Sequence, residues 1–408
     1  MNYDELDGRF PLGEDFASEI KAAIRVSLQA ALPGQFSGHQ DYPVYYTRTE
    51  HPVQSRIDEL PLQMDRLPKV VVQWAGLEPG HGWGREDLLV LDLETTGLGR
   101  GGTLAFLIGL GFYEGDRFVV EQIFLPEPEA ELNSFEFLQQ RLEEKALIVT
   151  FNGKTFDLPV LESRFLVNNL WLPLRQRPHL DVLHLARRLW KNRAPSCNLE
   201  TLEYYILGHI RDRELDIPGS LIPQTYYQFL MNGDPELIRR IFLHNQSDVL
   251  HTAVLLALIA DSVRIPIPAK RDLRIDYCAV ARLYTSQGFD DHAIDILTAL
   301  FEDDQVTAEL VYDLGILHKR WGEYQLCRRY FGIGAELLHP PSMLEYAILL
   351  ERRLREYPAA LKEAERLLKY LQTDTIHDLR DIWAAEKRVK RLRHRIETRA
   401  QKDRVKPV

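Results

Sequence analysis

The ten residues Leu88-Leu89-Val90-Leu91-Asp92-Leu93-Glu94-Thr95-Thr96-Gly97 constrain the fold of this chain more than any others. An apolar run of strand length carries two carboxylates and is closed by a Thr-Thr-Gly turn. Side chains at i and i+2 of a strand point to the same face. Asp92 and Glu94 therefore stand side by side on an otherwise buried strand. Adjacent anions repel, and burying them uncompensated costs roughly several kcal/mol each. A divalent cation is the simplest remedy, and hard oxygen donors suit Mg²⁺ or Mn²⁺. The alternative is a solvated strand end with two incidental acids.

At 408 residues the chain is too long for one ordinary domain, and two or three are expected. An apolar content of 45% is that of a globular protein. Cys197, Cys278 and Cys327 are too few and too scattered for a disulfide framework or a zinc site. That usage suits a reducing cytoplasm, the expected location. The opening Met1-Asn2-Tyr3-Asp4-Glu5 is not a charged-then-apolar leader. No uninterrupted apolar run reaches the roughly 18 residues a membrane span needs. The longest candidate, 249–259, is broken by His251 and Thr252.

The net charge of −10 argues against the whole chain being a non-specific polyanion binder. Of 50 basic and 60 acidic residues, 263–408 hold 26 and 23, leaving 24 and 37 before them. The acidity is thus concentrated where a metal site would need it.

Residues 1–85, rich in Pro, Gly, Asp and aromatics, read as a partly ordered N-terminal extension with one helical patch at 16–31. Val70-Val71-Val72 reads as a short strand. From 86 to 262 the texture is that of one α/β domain. Strands are expected at 88–93, 104–113, 118–125, 146–151 and 179–182, with Glu114-Gly115-Asp116 as a hairpin turn. Helical spacing marks 131–144, 158–168, 183–190, 199–207, 235–244 and 247–260. The order β-β-β-α-β-α-β-α is that of the ribonuclease-H-like fold, a mixed sheet with flanking helices.

Pro266, Pro268 and Lys270-Arg271-Asp272 mark a linker. Residues 270–400 then read as all-helical and repetitive. Leu283, Leu317 and Leu350 recur at 34 and 33 residues, as do Ala293, Cys327 and Ala360. A helix–turn–helix unit of that period is the tetratricopeptide pattern; a generic helical bundle is the alternative. Its concave face would dock a protein partner. The tail from Lys387 to Lys406 is basic. Val389 and Leu392, three apart, leave one stripe of it able to pack, so it either steers nucleic acid or is a solvated terminal helix.

Three further segments carry chemistry. Asn152-Gly-Lys-Thr-Phe156-Asp157 ends a strand on an acid. Arg177-Pro-His-Leu-Asp181 places another acid on the last strand, either a metal ligand or a structural group. His244-Asn245-Gln-Ser-Asp248 sets His244 and Asp248 four apart, on one helix face. Carboxylates converging from these elements need cations, a pair about 4 Å apart suits in-line displacement at phosphorus, and a neutral His can take a proton near pH 7. The null of a surface His bonding a neighbour stands beside that role for His244.

Asp92-x-Glu94, Asn152-x-x-x-Phe156-Asp157 and His244-x-x-x-Asp248 resemble, in order, the three motifs of the DEDD-type 3′–5′ exonucleases. The resemblance covers roughly 86–262. More closely, the chain looks like the bacterial YprB-type group, in which such a domain precedes tetratricopeptide repeats; 181–190, 197–203 and 244–248 suggest it. The resemblance implies phosphodiester hydrolysis of DNA or RNA, two divalent cations, and Asp92, Glu94, Asp157 and Asp248 as their ligands, with His244 as base. The substrate it implies is a nucleic acid, with single-stranded ends expected. The chain departs from the pattern at one point: members with His in the third motif usually show His-x-x-x-x-Asp, and here the spacing is one shorter. A non-catalytic scaffold built on the same fold is the alternative, and a two-metal endonuclease is compatible with the fold.

Three weaker features complete the reading. Gly97-Leu-Gly-Arg-Gly-Gly102 lacks the Lys-Ser/Thr of a P-loop; it is a phosphate-approach loop or a flexible hairpin entry. Arg187-Arg188, Lys191 and Arg193 are phosphate contacts or a solvated helix face. Tyr204-Tyr205 and Tyr226-Tyr227 read as core packing rather than base-stacking platforms.

Overall fold

Around the acid-bearing strand the chain builds a seven-stranded mixed sheet. The structure, a computed structural model, describes residues 14–54, 56–57, 60–97, 102–264, 272–303, 306–373 and 378–404. The chain divides into two units, 1–264 and 265–408.

The first unit begins with α1 (Glu14–Ala31), β1 (Gln35–Ser37) and β2 (Val44–Pro52), followed by a small β3 (Arg56–Ile57), β4 (Leu60–Pro61) hairpin and α2 (Lys69–Trp74). Then come β5 (Leu88–Thr95), β6 (Ala105–Glu114), β7 (Arg117–Phe124), α3 (Glu131–Glu144), β8 (Leu147–Thr150), α4 (Asp157–Val167), β9 (His179–Asp181) and α5 (Val182–Trp190). A short α6 (Leu199–Leu202) runs into a π turn at Glu203–Leu207. α7 (Ile222–Asn232) and α8 (Pro235–Ser262) complete the unit.

The sheet order is β1-β2-β7-β6-β5-β8-β9. β5 pairs antiparallel with β6 along its length and parallel with β8 at Leu88–Val90, so the acids sit on a central strand just past its pairing with β8. A register shift at Glu94/Thr95 marks a bulge at the strand end. The hairpin expected at 114–116 joins β6 to β7. Helices cover both faces. Consecutive strand residues point opposite ways; Glu121 of β7 binds Arg141 of α3, while its neighbour Gln122 binds α8.

The segment expected to be an extension behaves differently. β2 pairs with β7 along its whole length, from Tyr45↔Phe124 to Pro52↔Arg117. Leu28, Leu32, Val44 and Tyr45 join the main core. No boundary near 86 separates residues 14–85 from the domain, because β7 would otherwise be an open edge. Val70, Val71 and Val72 are buried as predicted for an apolar run, but on a helix. Pro68 caps it, with a φ already suited to a helix start. The helices expected at 235–244 and 247–260 are one 28-residue rod. The polar run between them contains no Gly or Pro, and its side chains are used by the site.

Two glycines let α8 lie close. A Cβ at Gly109 would stand 2.3 Å from Asn245 Oδ1, and one at Gly111 would stand 2.5 Å from Val249 Cγ1. β6 thus offers bare backbone where the helix crosses it.

The second unit is all-helical: α9 (Tyr277–Ser286), α10 (Asp290–Glu302), α11 (Ala308–Trp321), α12 (Tyr324–Glu336), α13 (Pro340–Leu349), α14 (Tyr357–Thr373) and α15 (Leu379–Arg404). Successive helices pack on one another. The recurring positions Leu283, Leu317, Leu350, Ala293, Cys327 and Ala360 are all buried. The basic tail is α15. Its Val389 and Leu392 are buried with Ala347, Leu350, Ala360 and Ala364, and its Arg388 and Arg391 close on the buried Glu351. The tail is therefore neither wholly solvated nor wholly available as a cationic arm. Among the described residues no helix is long and apolar enough to cross a membrane.

Candidate functional site

The site begins with β5, where strand alternation turns Asp92 and Glu94 to the face covered by α8. Asp92 Oδ2 accepts 2.8 Å from Asn245 Nδ2. Asn245 Oδ1 in turn accepts from Gln122 Nε2 at 2.9 Å, and that amide also donates to the Phe242 carbonyl. A fully buried amide pair therefore fixes α8 against the sheet at the level of Asp92.

Asp157 arrives from the next crossover. Asn152 takes a left-handed φ of 69°, which Asn tolerates better than most residues. The turn delivers Asp157 as the first residue of α4, where Oδ1 accepts from Leu93 N–H at 3.1 Å. Asp181 does not join this group. It caps α5, accepting from Leu183 N, Asn152 N and Lys154 N. It is a structural acid holding the Asn152 turn, the second of its two expected roles.

α8 supplies the rest. His244 Nε2 lies 3.5 Å from Asp248 Oδ2 and 3.9 Å from Glu94 Oε1, so the two helix residues do share a face. His244 Nδ1 lies 2.7 Å from Asp216 Oδ1 and 3.1 Å from Arg211 Nη1. A guanidinium only donates, so Nδ1 cannot bond both. The shorter contact to a carboxylate prevails, Nδ1–H donates to Asp216, and Nε2 faces the acids.

Arg211 is the feature sequence reasoning missed. It grips Glu203 with two bonds, 2.5 Å from Nε and 2.6 Å from Nη2, and reaches Asp248 Oδ1 at 2.5 Å. Glu203 also meets His251 Nδ1 at 2.8 Å. These two bonds hold the Glu203 carboxyl at about 2 against the opposing effect of burial. Arg211 and Asp216 lie in a stretch with no readable periodicity, and Glu203, inside the helix expected at 199–207, carried no sign of a role in the site. Asn245 and Gln122 had one: each is polar inside an apolar element.

The four motif acids perturb one another. Burial and then Asp248 push Asp92 up to about 7. Burial and then Asp92 push both Glu94 and Asp157 well above the carboxylate range, and burial raises Asp248. Burial pulls His244 down, but its bond to Asp216 and the charges of Asp248 and Glu94 outweigh it, lifting the imidazole to about 9. Without cations, His244 is therefore drawn toward its charged form. Among the described residues no three His, Cys, Asp or Glu side chains are already arranged around one metal position. One oxygen of Asp92, Asp157 and Asp248 is turned instead to Asn245, Leu93 N–H and Arg211 respectively.

A family model described as RNase_H superfamily matches residues 89–260. The protein YprB of Bacillus subtilis (strain 168), described only as uncharacterized, is 32% identical over 316 residues, 74% of this chain and 75% of that one. The chain belongs to the RNase H superfamily. A solved structure of the family B DNA polymerase from the hyperthermophilic archaeon Pyrobaculum calidifontis aligns over 68% of this chain and 43% of its own, at 12% identity and a TM-score of 0.34. A likeness that loose carries no argument here.

Membership in this superfamily is compatible with nuclease activity and nucleic-acid binding. One of the weaker expectations changes. Tyr226 is core, stacked 4.0 Å on Phe106, but Tyr204, Tyr205 and Tyr227 are exposed. Arg187 and Arg188 line a concavity with Lys154 and His184. Of the glycine-rich stretch, residues 98–101 lie outside the described residues.

The charge pattern predicts how this RNase H superfamily protein responds to pH without divalent cation. A folded-state Asp92 near 7, against an ordinary 3.8, keeps its proton when the unfolded chain releases it. Its contribution to stability therefore declines as pH rises from about 4 to 7. The raised His244 contributes fully below about 6.5 and is lost as pH climbs through about 9. The depressed Glu203 contributes fully above its ordinary 4.5 and loses that contribution only as pH falls toward about 2, so it adds no slope in this window. In EDTA the melting temperature should fall steadily between about pH 5 and 9, and Mn²⁺ should restore part of it at the alkaline end. A melting temperature that rises across this window would contradict the reading.

Proposed function

We propose that the first unit is a metal-dependent 3′–5′ exonuclease acting on DNA or RNA. The observation that carries it is a set of four buried carboxylates on β5, α4 and α8 whose proton affinities are raised by burial and, for Asp92, Glu94 and Asp157, by a neighbouring acid of the set. Such a set is short of positive charge, and its oxygen donors fit hard divalent cations. Asp92, Glu94, Asp157 and Asp248 would hold two of them, Mg²⁺ or Mn²⁺, which when bound supply Lewis-acid stabilisation of charge on a phosphate.

The chain's own residues do the remaining work. Asp216 fixes the His244 ring by accepting from Nδ1, so Nε2 points at the acids. With cations offsetting the charges of Asp248 and Glu94 that raise the imidazole, Nε2 would be free to take the proton of an attacking water. Asn245, through Gln122, holds Asp92 in place. Glu203 holds Arg211 so that its free edge meets Asp248. The short His-x-x-x-Asp spacing suffices for this orientation, since Nε2 faces both Glu94 and Asp248.

A second reading is a non-catalytic scaffold. Arg211 favours it, because a guanidinium already bonded to Asp248 could serve as the permanent counter-ion. One assay decides between them: end-labelled single-stranded and duplex DNA and RNA, incubated with Mn²⁺. Nucleotide-by-nucleotide shortening from the 3′ end supports the exonuclease, internal cuts an endonuclease, and intact strands the scaffold. In the exonuclease, His244→Ala should lower the rate by about 10²–10⁴-fold, the usual span for a lost general base. An unchanged rate would make His244 structural.

For the second unit we propose tetratricopeptide-like repeats that dock a protein. The support is the burial of Leu283, Leu317 and Leu350, and of Ala293, Cys327 and Ala360, at a 33–34-residue period.

A further inference from the structure

The π turn that carries Glu203 also carries Tyr204 and Tyr205. Both rings are exposed, at 56% and 52%, and stand edge to face with centroids 5.0 Å apart. π turns inside helices recur at functional sites. Here the turn separates a buried Glu203, which anchors Arg211, from two aromatic faces directed outward. The rings do not stand on open surface. They line a cleft of about 880 Å³ together with Ile210 and Arg213, and its wall continues to Arg211, Asp216 and His244. The candidate catalytic histidine is therefore part of the cleft wall.

The chemistry of that wall selects its occupant. Two flat π faces and Ile210, itself 75% exposed, ask for planar apolar surface. Arg213 asks for an anion. The same wall includes His244, the base proposed for phosphodiester hydrolysis. An unpaired nucleic-acid strand presents these features together: a π face on every base and a charge at every link. In a duplex the base faces are hidden in the stack, so the cleft discriminates against it.

We infer that this cleft seats the unpaired bases adjoining the scissile bond, with Tyr204 and Tyr205 stacking on them and Arg213 facing the backbone. The inference rests on the nuclease reading and narrows its substrate to single strands. Because every base has a π face, recognition here is indifferent to base identity.

The test is fluorescence anisotropy of short labelled single strands of DNA and RNA, in EDTA, against the full chain. Tyr204→Ala/Tyr205→Ala should weaken binding at least about tenfold, given roughly 1–3 kcal/mol per stacked base. Tyr204→Phe/Tyr205→Phe, which keeps both rings, should stay within about twofold. An abasic strand should bind the wild type poorly and be indifferent to the alanine changes. Melting temperatures should match, since the rings are exposed. Equal binding of the normal strand by wild type and the double alanine variant would overturn the inference, as would an equal loss of abasic binding. If the wild type still degrades end-labelled strands while the double alanine variant binds them normally, the cleft alone is refuted. If the wild type neither binds nor cleaves any strand, the nuclease reading falls with it.

Discussion

Asp92→Ala should lower hydrolysis of a single-stranded substrate by at least about 10³-fold while leaving its binding nearly unchanged. Cation-mediated charge stabilisation is worth several kcal/mol in the transition state, and each ~1.4 kcal/mol is tenfold in rate. Asp92 stands at the centre of the acid group, raised by Asp248 and itself the main charge raising Glu94 and Asp157. Removing it both takes away a ligand and relaxes the repulsion that gives the set its appetite for cations. The cation-free variant should consequently melt no lower than wild type, which separates lost chemistry from lost folding. Asp92→Asn keeps the acceptor for Asn245 and should be equally inactive. Chelator should reproduce the loss in the wild type, and full activity in EDTA would sink the two-cation proposal.

Glu203→Ala should be the most destabilising single change in the first unit. The Glu203 carboxylate is 1% exposed, binds Arg211 in a two-pronged pair and meets His251. Taking Glu203 away removes two of the bonds to a buried guanidinium and leaves it on Asp248, with Asp216 3.6 Å away. Breaking a buried pair costs about 3–5 kcal/mol. For a unit of this size that corresponds to a fall of roughly 6–20 °C in melting temperature. Glu203→Gln keeps one acceptor and should fall less. A second consequence is functional: with its anchor gone, Arg211 is free to settle on Asp248 or leave it. A melting temperature within about 2 °C of wild type would show that Arg211 finds water or another acid at little cost.

Much of the fold was readable because the signals were local. Strand alternation placed Asp92 and Glu94 on one face, helical spacing placed His244 beside Asp248, and Glu114-Gly115-Asp116 marked its hairpin. The misreadings came from places where local pattern is silent or ambiguous. A three-valine run is equally apolar in a strand and in a helix, and only Pro68 tips it. β2 belongs to the sheet because β7 lacks a partner, a fact located seventy residues downstream. The break expected near 245 reflected polarity that the site itself uses. Arg211 and Asp216 are legible only in three dimensions, because their spacing along the chain follows a loop and not a repeat, and Glu203 was placed on its helix without a partner to reveal its role. Tyr204 and Tyr205 looked like core by type, and the π turn exposes them.

The position of α8 has a consequence for the order of events in the cell. Synthesis runs from the N-terminus, and domains tend to fold as they emerge. β5 and α4 can be in place while Asp248 is still unmade or inside the ribosome. The acid group then lacks its last member, His244 has not arrived, and the helix that fills the bare stretch of β6 at Gly109 and Gly111 is missing. If the acid group is the nuclease centre proposed above, a nascent chain would be inert toward the nucleic acid that surrounds it during translation, and would become competent only when α8 brings its two glycine contacts, its buried amide and its two site residues onto the sheet.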